Sequence, residues 1–436
     1  MKKVFLMLAV VVSFFTSCSD GDENGPDSNQ ADYTVIIYGM SGGEMDNCIE
    51  GVWRETQTLL PDGKIRVLAV NKYGADSDKF SGEYGAPGEV LAFELDKNTQ
   101  FETLHQEGAD MKSFKLYDPA NLTALLNRAK KDLPAKEYVL VFYGHGGGFD
   151  AKSDYPKQNE SRTRGVLYDE LLDYASMNMY ELSTAISNSD IKHLKAILFN
   201  NCLMGAMEIV TEVSSYTDYI IATPFMLTSE EDPLIPMLVR NLRQTSDFET
   251  AARQTLTDSE ERLHEGYVKE GYPFNGNVEL LKSSQLQAVC DAAGKLVTRL
   301  CELYPTQQDA IDNATCQVYQ FYQSKPFYDL LDYAGKLAEL TGDSQLADIH
   351  AEMETAFRSA ILQQVNIDLG VMPTLPFYSL SVVLTDHQKY NSMINSNVDF
   401  RTSYELNKFH RLAGWGSWLN TNQRKPENNP CGQGAL

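Results

Sequence analysis

Apolar residues along this chain fall into two patterns that alternate. Five short runs, Tyr33–Tyr38, Ile65–Val70, Tyr138–Tyr143, Ala196–Phe199 and Tyr219–Ala222, are apolar almost throughout and rich in Val, Ile and Tyr. A strand with one wet face alternates apolar and polar positions, whereas a nearly continuous run belongs to a strand buried on both faces, as in the middle of a parallel sheet. Between the runs lie segments with helical spacing. Leu122–Lys131 and Met179–Ile186 are two, the second stopped by Ser187-Asn188-Ser189-Asp190, and a third is read from just after Cys202 on through Glu208–Val213. Strands alternating with helices predict an α/β fold, a mostly parallel sheet flanked by helices on both faces.

Beyond Asp247 the pattern changes. Leu and Ala recur at three and four residues as far as Ala360, which predicts helices, and Tyr378–Leu384 reads as one more strand before an aromatic closing segment. The expected division is a core over 33–246 and a helical C-terminal region over 247–436 that adds a strand and packs on that core. Inside the core, Gly144 to Asp173 is long, polar and carries Lys152, Lys157, Arg162 and Arg164. A loop of that length in a compact domain is functional or mobile.

The start of the chain is built differently. Lys2 and Lys3 precede an apolar run from Val4 to Phe15, followed by Thr16-Ser17-Cys18. The run is shorter than the roughly 20 residues that cross a bilayer and has the layout of an export signal. It resembles a bacterial lipoprotein signal, which implies that 1–18 is a signal ending at a lipidated Cys18; a plain secretory signal is the simpler alternative. Residues 19–32 are polar and acidic, suited to a flexible tether. The chain is thus expected to be exported and lipid-anchored at the bacterial outer membrane or cell surface, touching membrane through the anchor only.

Charge narrows the partners. The net charge of −23 repels phosphate backbones, so nucleic acid is not expected to bind. The same surface attracts cationic peptides, although a field that merely keeps the protein soluble is an equally good account. A monomer is expected. The cysteines after Cys18 show no CxxC pairing, which leaves one of them available for chemistry.

Two strand ends carry unusual residues. The third run leads into Gly144-His145-Gly146-Gly147-Gly148 and the fourth into Asn200-Asn201-Cys202-Leu203-Met204-Gly205. Ligands of open α/β sheets bind beyond the carboxyl ends of the strands, so both segments should open into one site. A thiol becomes a strong nucleophile when a nearby imidazole takes its proton, and a helix start at Cys202 would favour the thiolate further. Small residues around His145 leave backbone amides free to hold an oxyanion. An isolated buried cysteine or lone histidine is ordinarily a packing residue. Here both lie at neighbouring strand ends, with the histidine ahead of the cysteine by about the 50 residues found in caspase-type peptidases.

The segments YVLVFYGHGGGFD (Tyr138–Asp150), KAILFNNCLMGAMEIV (Lys195–Val210) and DYIIATP (Asp218–Pro224) resemble the clostripain family of bacterial cysteine peptidases. TVIIYGMSGGEMD (Thr34–Asp46) is similar to that family's opening strand and KFHRLAGWGSWL (Lys408–Leu419) to its closing motif. The resemblance implies a caspase-like fold with a helical C-terminal part, peptide or protein substrates, and cysteine endopeptidase activity. It implies His145 as the catalytic histidine, Cys202 as nucleophile, and the amides of Gly146 and Cys202 as oxyanion donors. Members often cleave themselves in the loop after the histidine, which makes Lys152, Lys157, Arg162 and Arg164 the candidate cut sites. A solvated charged loop is the alternative.

The chain departs from the family at its pocket. Where the family has an aspartate two residues before the nucleophile, this sequence has Asn200, and a neutral amide offers a cationic side chain no counter-charge. Asn200, Asn201, Thr223, Pro224 and Glu230 are the expected pocket residues, with the preferred substrate side chain left open. The alternative to an active enzyme is a peptidase-like surface lipoprotein that binds without turnover. Family relatives can bind calcium, but no oxygen-rich loop with calcium spacing is visible, so calcium stays open and no other cofactor is required.

Overall fold

The structure, a computed structural model, describes residues 30–40, 45–74, 87–107, 109–110, 113–149, 165–172, 175–228, 233–273, 275–322, 326–384 and 407–421. In chain order its strands are β1 (Ala31–Met40), β2 (Ile65–Lys72), β3 (Glu89–Leu95), β4 (Ala109–Asp110), β5 (Ala135–Gly144), β6 (Val166–Asp169), β7 (Ala175–Met177), β8 (Leu194–Asn200), β9 (Thr217–Ala222), β10 (Gly276–Lys282), β11 (Phe327–Asp329), β12 (Ile361–Ile367) and β13 (Ser381–Val383). Nine form one sheet in the order β12-β10-β9-β8-β5-β1-β2-β3-β4. Its middle five strands, β2-β1-β5-β8-β9, are mutually parallel and coincide with the five apolar runs.

Those runs are buried on both sides because their side chains feed two separate cores. Ile36, Tyr38, Leu140, Phe142, Ile197 and Phe199 point to one face, while Val35, Ile37, Val139, Val141, Ala196 and Leu198 point to the other. Helices α1 (Met45–Thr58), α2 (Phe101–Glu107), α3 (Pro119–Asp132), α4 (Met179–Asn188), α5 (Met207–Val213), α6 (Leu234–Gln244), α7 (Phe248–Glu270), α8 (Leu286–Gln317), α9 (Leu330–Thr341), α10 (Ser344–Ala360), α11 (Lys408–Ala413) and α12 (Trp415–Thr421) supply the covering layers. α3, α4 and α5 line the first face; α1, α6 and α7 line the second. Helix starts follow local chemistry: Asn178 and Glu181 form a capping box at α4, and Asp118 caps α3 with Pro119 at its first position.

The region past residue 247 does more than cover the sheet. β10 and β12 extend it antiparallel beyond β9, while α8, α9 and α10 pack on the first face. Neither strand is predicted by the sequence pattern, since GNVELLK and ILQQVNI mix polar residues into short runs flanked by strongly helical segments. β3 and β4 close the other edge, also antiparallel. The run Tyr378–Leu384 contributes only β13, which pairs with β11 in a separate two-stranded sheet. The closing aromatic segment is a clamp: Trp415 and Trp418 are fully buried, and Trp415 Nε1 donates to the Val383 carbonyl at 2.8 Å.

Candidate active site

His145 follows the last residue of β5, and Cys202 lies two residues beyond β8. These strands are parallel neighbours with Tyr143 opposite Asn200, so the two loops leave the sheet side by side. Asn201 stitches them together, its Nδ2 donating to the Gly144 carbonyl at 2.8 Å and the His145 carbonyl at 3.4 Å. Gly146 then runs directly against the nucleophile's backbone. A Cβ on it would lie 2.3 Å from the Cys202 carbonyl oxygen, so only glycine permits this approach.

The Cys202 turn is strained. Leu203 has φ 64, a left-handed conformation that costs a residue with a Cβ. It is held by the chain after β9: Leu203 N donates to Phe225 O and Gly205 N to Thr223 O, each at 2.7 Å. α5 begins only at Met207, so the expected helix start at Cys202 is not there. The intervening residues are tied to the segment after β9 instead, so the Cys202 turn is not the first turn of that helix.

That segment also caps the thiol. Cys202 Sγ accepts the Leu227 N–H at 3.3 Å and donates to the Leu227 carbonyl at 3.7 Å. Burial pushes the thiol up to about 11, and the nearby Glu270 carboxylate adds to this, while the Leu227 N–H works against it. At neutral pH the sulfur in this conformation therefore carries its proton. The cap is itself anchored to the end of α7 and just beyond it. Tyr267 OH donates to Met226 O, Tyr272 OH to Leu227 O at 3.4 Å, and Thr228 Oγ1 to Glu270 Oε1 at 2.5 Å.

The imidazole has a different neighbour. Its ring stacks on Tyr168 of β6, centroids 4.8 Å apart and planes 11° from parallel. β6 lies inside the stretch read from sequence as loop, where its four residues VLYD are too few to show a period.

Of the pocket residues expected from sequence, Asn200, Asn201, Thr223 and Pro224 come together around the Cys202 turn, all buried. Glu230, the loop residues Lys152, Lys157, Arg162 and Arg164, and Cys18 lie outside the described residues. Sequence reasoning missed Tyr168, Leu227, Tyr267, Glu270 and Tyr272. The one available signal was the apolar Phe225-Met226-Leu227 continuing past a strand end; the α7 residues come from too far along the chain to be read locally. Among the described residues no group of three or more His, Cys, Asp and Glu is arranged to hold a metal.

A family model, that of the clostripain family, matches residues 32–409. The chain belongs to the clostripain family. It is accordingly a cysteine peptidase, and solved clostripain-type structures share its fold. A secreted C11 cysteine protease from Bacteroides thetaiotaomicron, in complex with an irreversible peptide inhibitor, is 16% identical with a TM-score of 0.61, covering 89% of this chain and 100% of that one. An inactive zymogen C11 protease from Parabacteroides distasonis is 15% identical with a TM-score of 0.58, covering 89% and 99%. No curated protein matches the chain. No helix among the described residues of this clostripain-family member is long and apolar enough to cross a membrane.

Proposed function

We propose that this clostripain-family peptidase is an endopeptidase in which Cys202 is the nucleophile and His145 its base and acid. The observation that carries this reading is the stitching of the two loops, with Gly146 packed on the Cys202 backbone at the ends of adjacent parallel strands. His145 takes the thiol proton, the thiolate adds to the scissile carbonyl, and the amides of Gly146 and Cys202 hold the oxyanion. The imidazolium then protonates the leaving amine, and a water activated by the same imidazole hydrolyses the thioester. Because Leu227 engages the sulfur, substrate entry requires the Met226–Thr228 segment to withdraw. Cys202→Ala and His145→Ala should each abolish cleavage of a peptide library; cleavage at the parental rate by either would refute the pairing.

The finer assignments belong to the same proposal. With Asn200 in place of an acid, a neutral or apolar side chain beside the cut is the expected preference, and profiling the library with and without calcium tests it. Self-cleavage after Lys152, Lys157, Arg162 or Arg164 predicts fragments that a Cys202→Ala protein lacks. Export is supported by the secreted neighbour from Bacteroides thetaiotaomicron. Anchoring through Cys18 predicts that Cys18→Ala releases the protein from membranes. The capped, protonated thiol favours a second reading, a surface lipoprotein that binds peptides without turnover. Labelling of Cys202 by a thiol-reactive peptide at neutral pH would exclude it.

A further inference from the structure

We infer that Tyr168 is a positioning residue for His145, setting the plane of the imidazole by face-to-face stacking; this rests on the His145–Cys202 reading above. The imidazole must keep its plane while it passes protons between sulfur and leaving amine. The stack at 4.8 Å and 11° holds that plane, and an aromatic face also favours the cationic ring formed after proton transfer.

The backbone around Tyr168 is fixed on both sides, more firmly than packing alone requires. On its N-terminal side Leu167 has φ 55, strained for a leucine, and the pairing of β6 with β7 slips between Val166 and Tyr168. This irregularity seats Leu167 Cδ2 against Gly144, at 3.1 Å from where a Cβ there would stand, and leaves Tyr168 beside the next residue, His145. Val166 bridges Gly146, and Gly147 N donates to Gly165 O at 3.2 Å, so β6 is zipped to the histidine loop itself. On its C-terminal side Asp169 is buried against Lys72 at 2.6 Å, and Lys72 Nζ also donates to Phe114 O at 2.7 Å. Strain before the ring and a buried ion pair after it are the marks of a side chain whose placement matters.

Two measurements on the full-length protein decide the point. In steady-state kinetics Tyr168→Leu should lower kcat about tenfold with KM little changed, whereas Tyr168→Phe, which keeps the ring, should stay within about twofold of the parent. Equal losses in Leu and Phe, or a loss confined to KM, would overturn the inference. Tyr168→Met, unbranched and space-filling, replaces Leu if that variant folds poorly. In the Cys202→Ala background, NMR should show the His145 ring protons shifted upfield by the stacked ring, a shift kept in Tyr168→Phe and lost in Tyr168→Leu. Identical shifts in both would sink the idea. If the parent cleaves no peptide, the endopeptidase reading fails on its own, and the NMR result still decides whether the stack exists.

Discussion

The two sides of the site are built from different materials. Around His145 the supports are charged and buried. Lys72 and Asp169 pair at 2.6 Å with almost no exposure; farther off, at β3, three strands from β5, the half-buried His105 bridges Glu50 at 2.6 Å and Glu89 at 3.3 Å. Around Cys202 the supports are backbone groups and hydroxyls: Leu227 on the sulfur, Tyr267, Tyr272 and Thr228 behind it. A buried ion pair is costly to break because each charge left behind is uncompensated, whereas a neutral hydrogen bond is worth only about 1 kcal/mol net and one to a carboxylate, such as Thr228 to Glu270, about 1.5–3 kcal/mol. The difference teaches which half can move. The base sits on a rigid frame, and the nucleophile lies under a cap that thermal energy or a bound substrate can lift.

The hardest test of that contrast is Lys72→Met. It strands Asp169 without a counter-charge and should cost about 3–5 kcal/mol in denaturant unfolding, with most of the loss recovered in Lys72→Met/Asp169→Leu. Burial already pushes Lys72 down and Asp169 up; their mutual contact resists both shifts, helped at Asp169 by the backbone N–H groups of Leu171 and Leu172. A loss under about 1 kcal/mol would mean the frame is no stiffer than the cap.

A smaller effect is expected on the other side. Tyr272→Phe removes one hydroxyl from the cap at a cost of about 1 kcal/mol, and should raise iodoacetamide labelling of Cys202 several-fold. Glu270→Gln removes the carboxylate that helps push the thiol up and should bring its pKa down from about 11. Peptide mapping by mass spectrometry separates Cys202 from the other free cysteines. Unchanged labelling in both variants would show that the cap is not held from α7.

The last test is of pH dependence. Burial lowers the His105 pKa, but its two carboxylate partners outweigh this and raise it to about 9. A raised folded pKa means the contribution is complete below the unfolded value near 6.5 and is lost as pH climbs through about 9. Unfolding free energy should therefore decline over that window in the parent, and His105→Gln should flatten the slope.

Much of the architecture was legible because it depends on short-range pattern. Each of the five apolar runs became a central parallel strand, since a segment apolar on both sides has no stable place except between two cores. The edges were not legible. Glu89–Leu95, Gly276–Lys282 and Ile361–Ile367 carry polar residues on partly wetted or hydrogen-bonded faces, and their strand character comes from a neighbour's unpaired backbone. In the site, His145 and Cys202 could be named because they follow strand ends. Tyr168 and Leu227 could not, because their importance lies in which atom they touch.

By itself, then, the amino-acid order determined a doubly covered parallel sheet and two chemically able side chains at its carboxyl edge, because strand burial and the residues that follow a strand are local properties. Tertiary structure alone decided the state of those side chains. The thiol's proton is set by how much water is excluded from the sulfur and by groups at Leu227 and Glu270, and the imidazole's orientation by a ring on another strand. Solvation and contact are properties of the packed whole, which no stretch of chain carries alone.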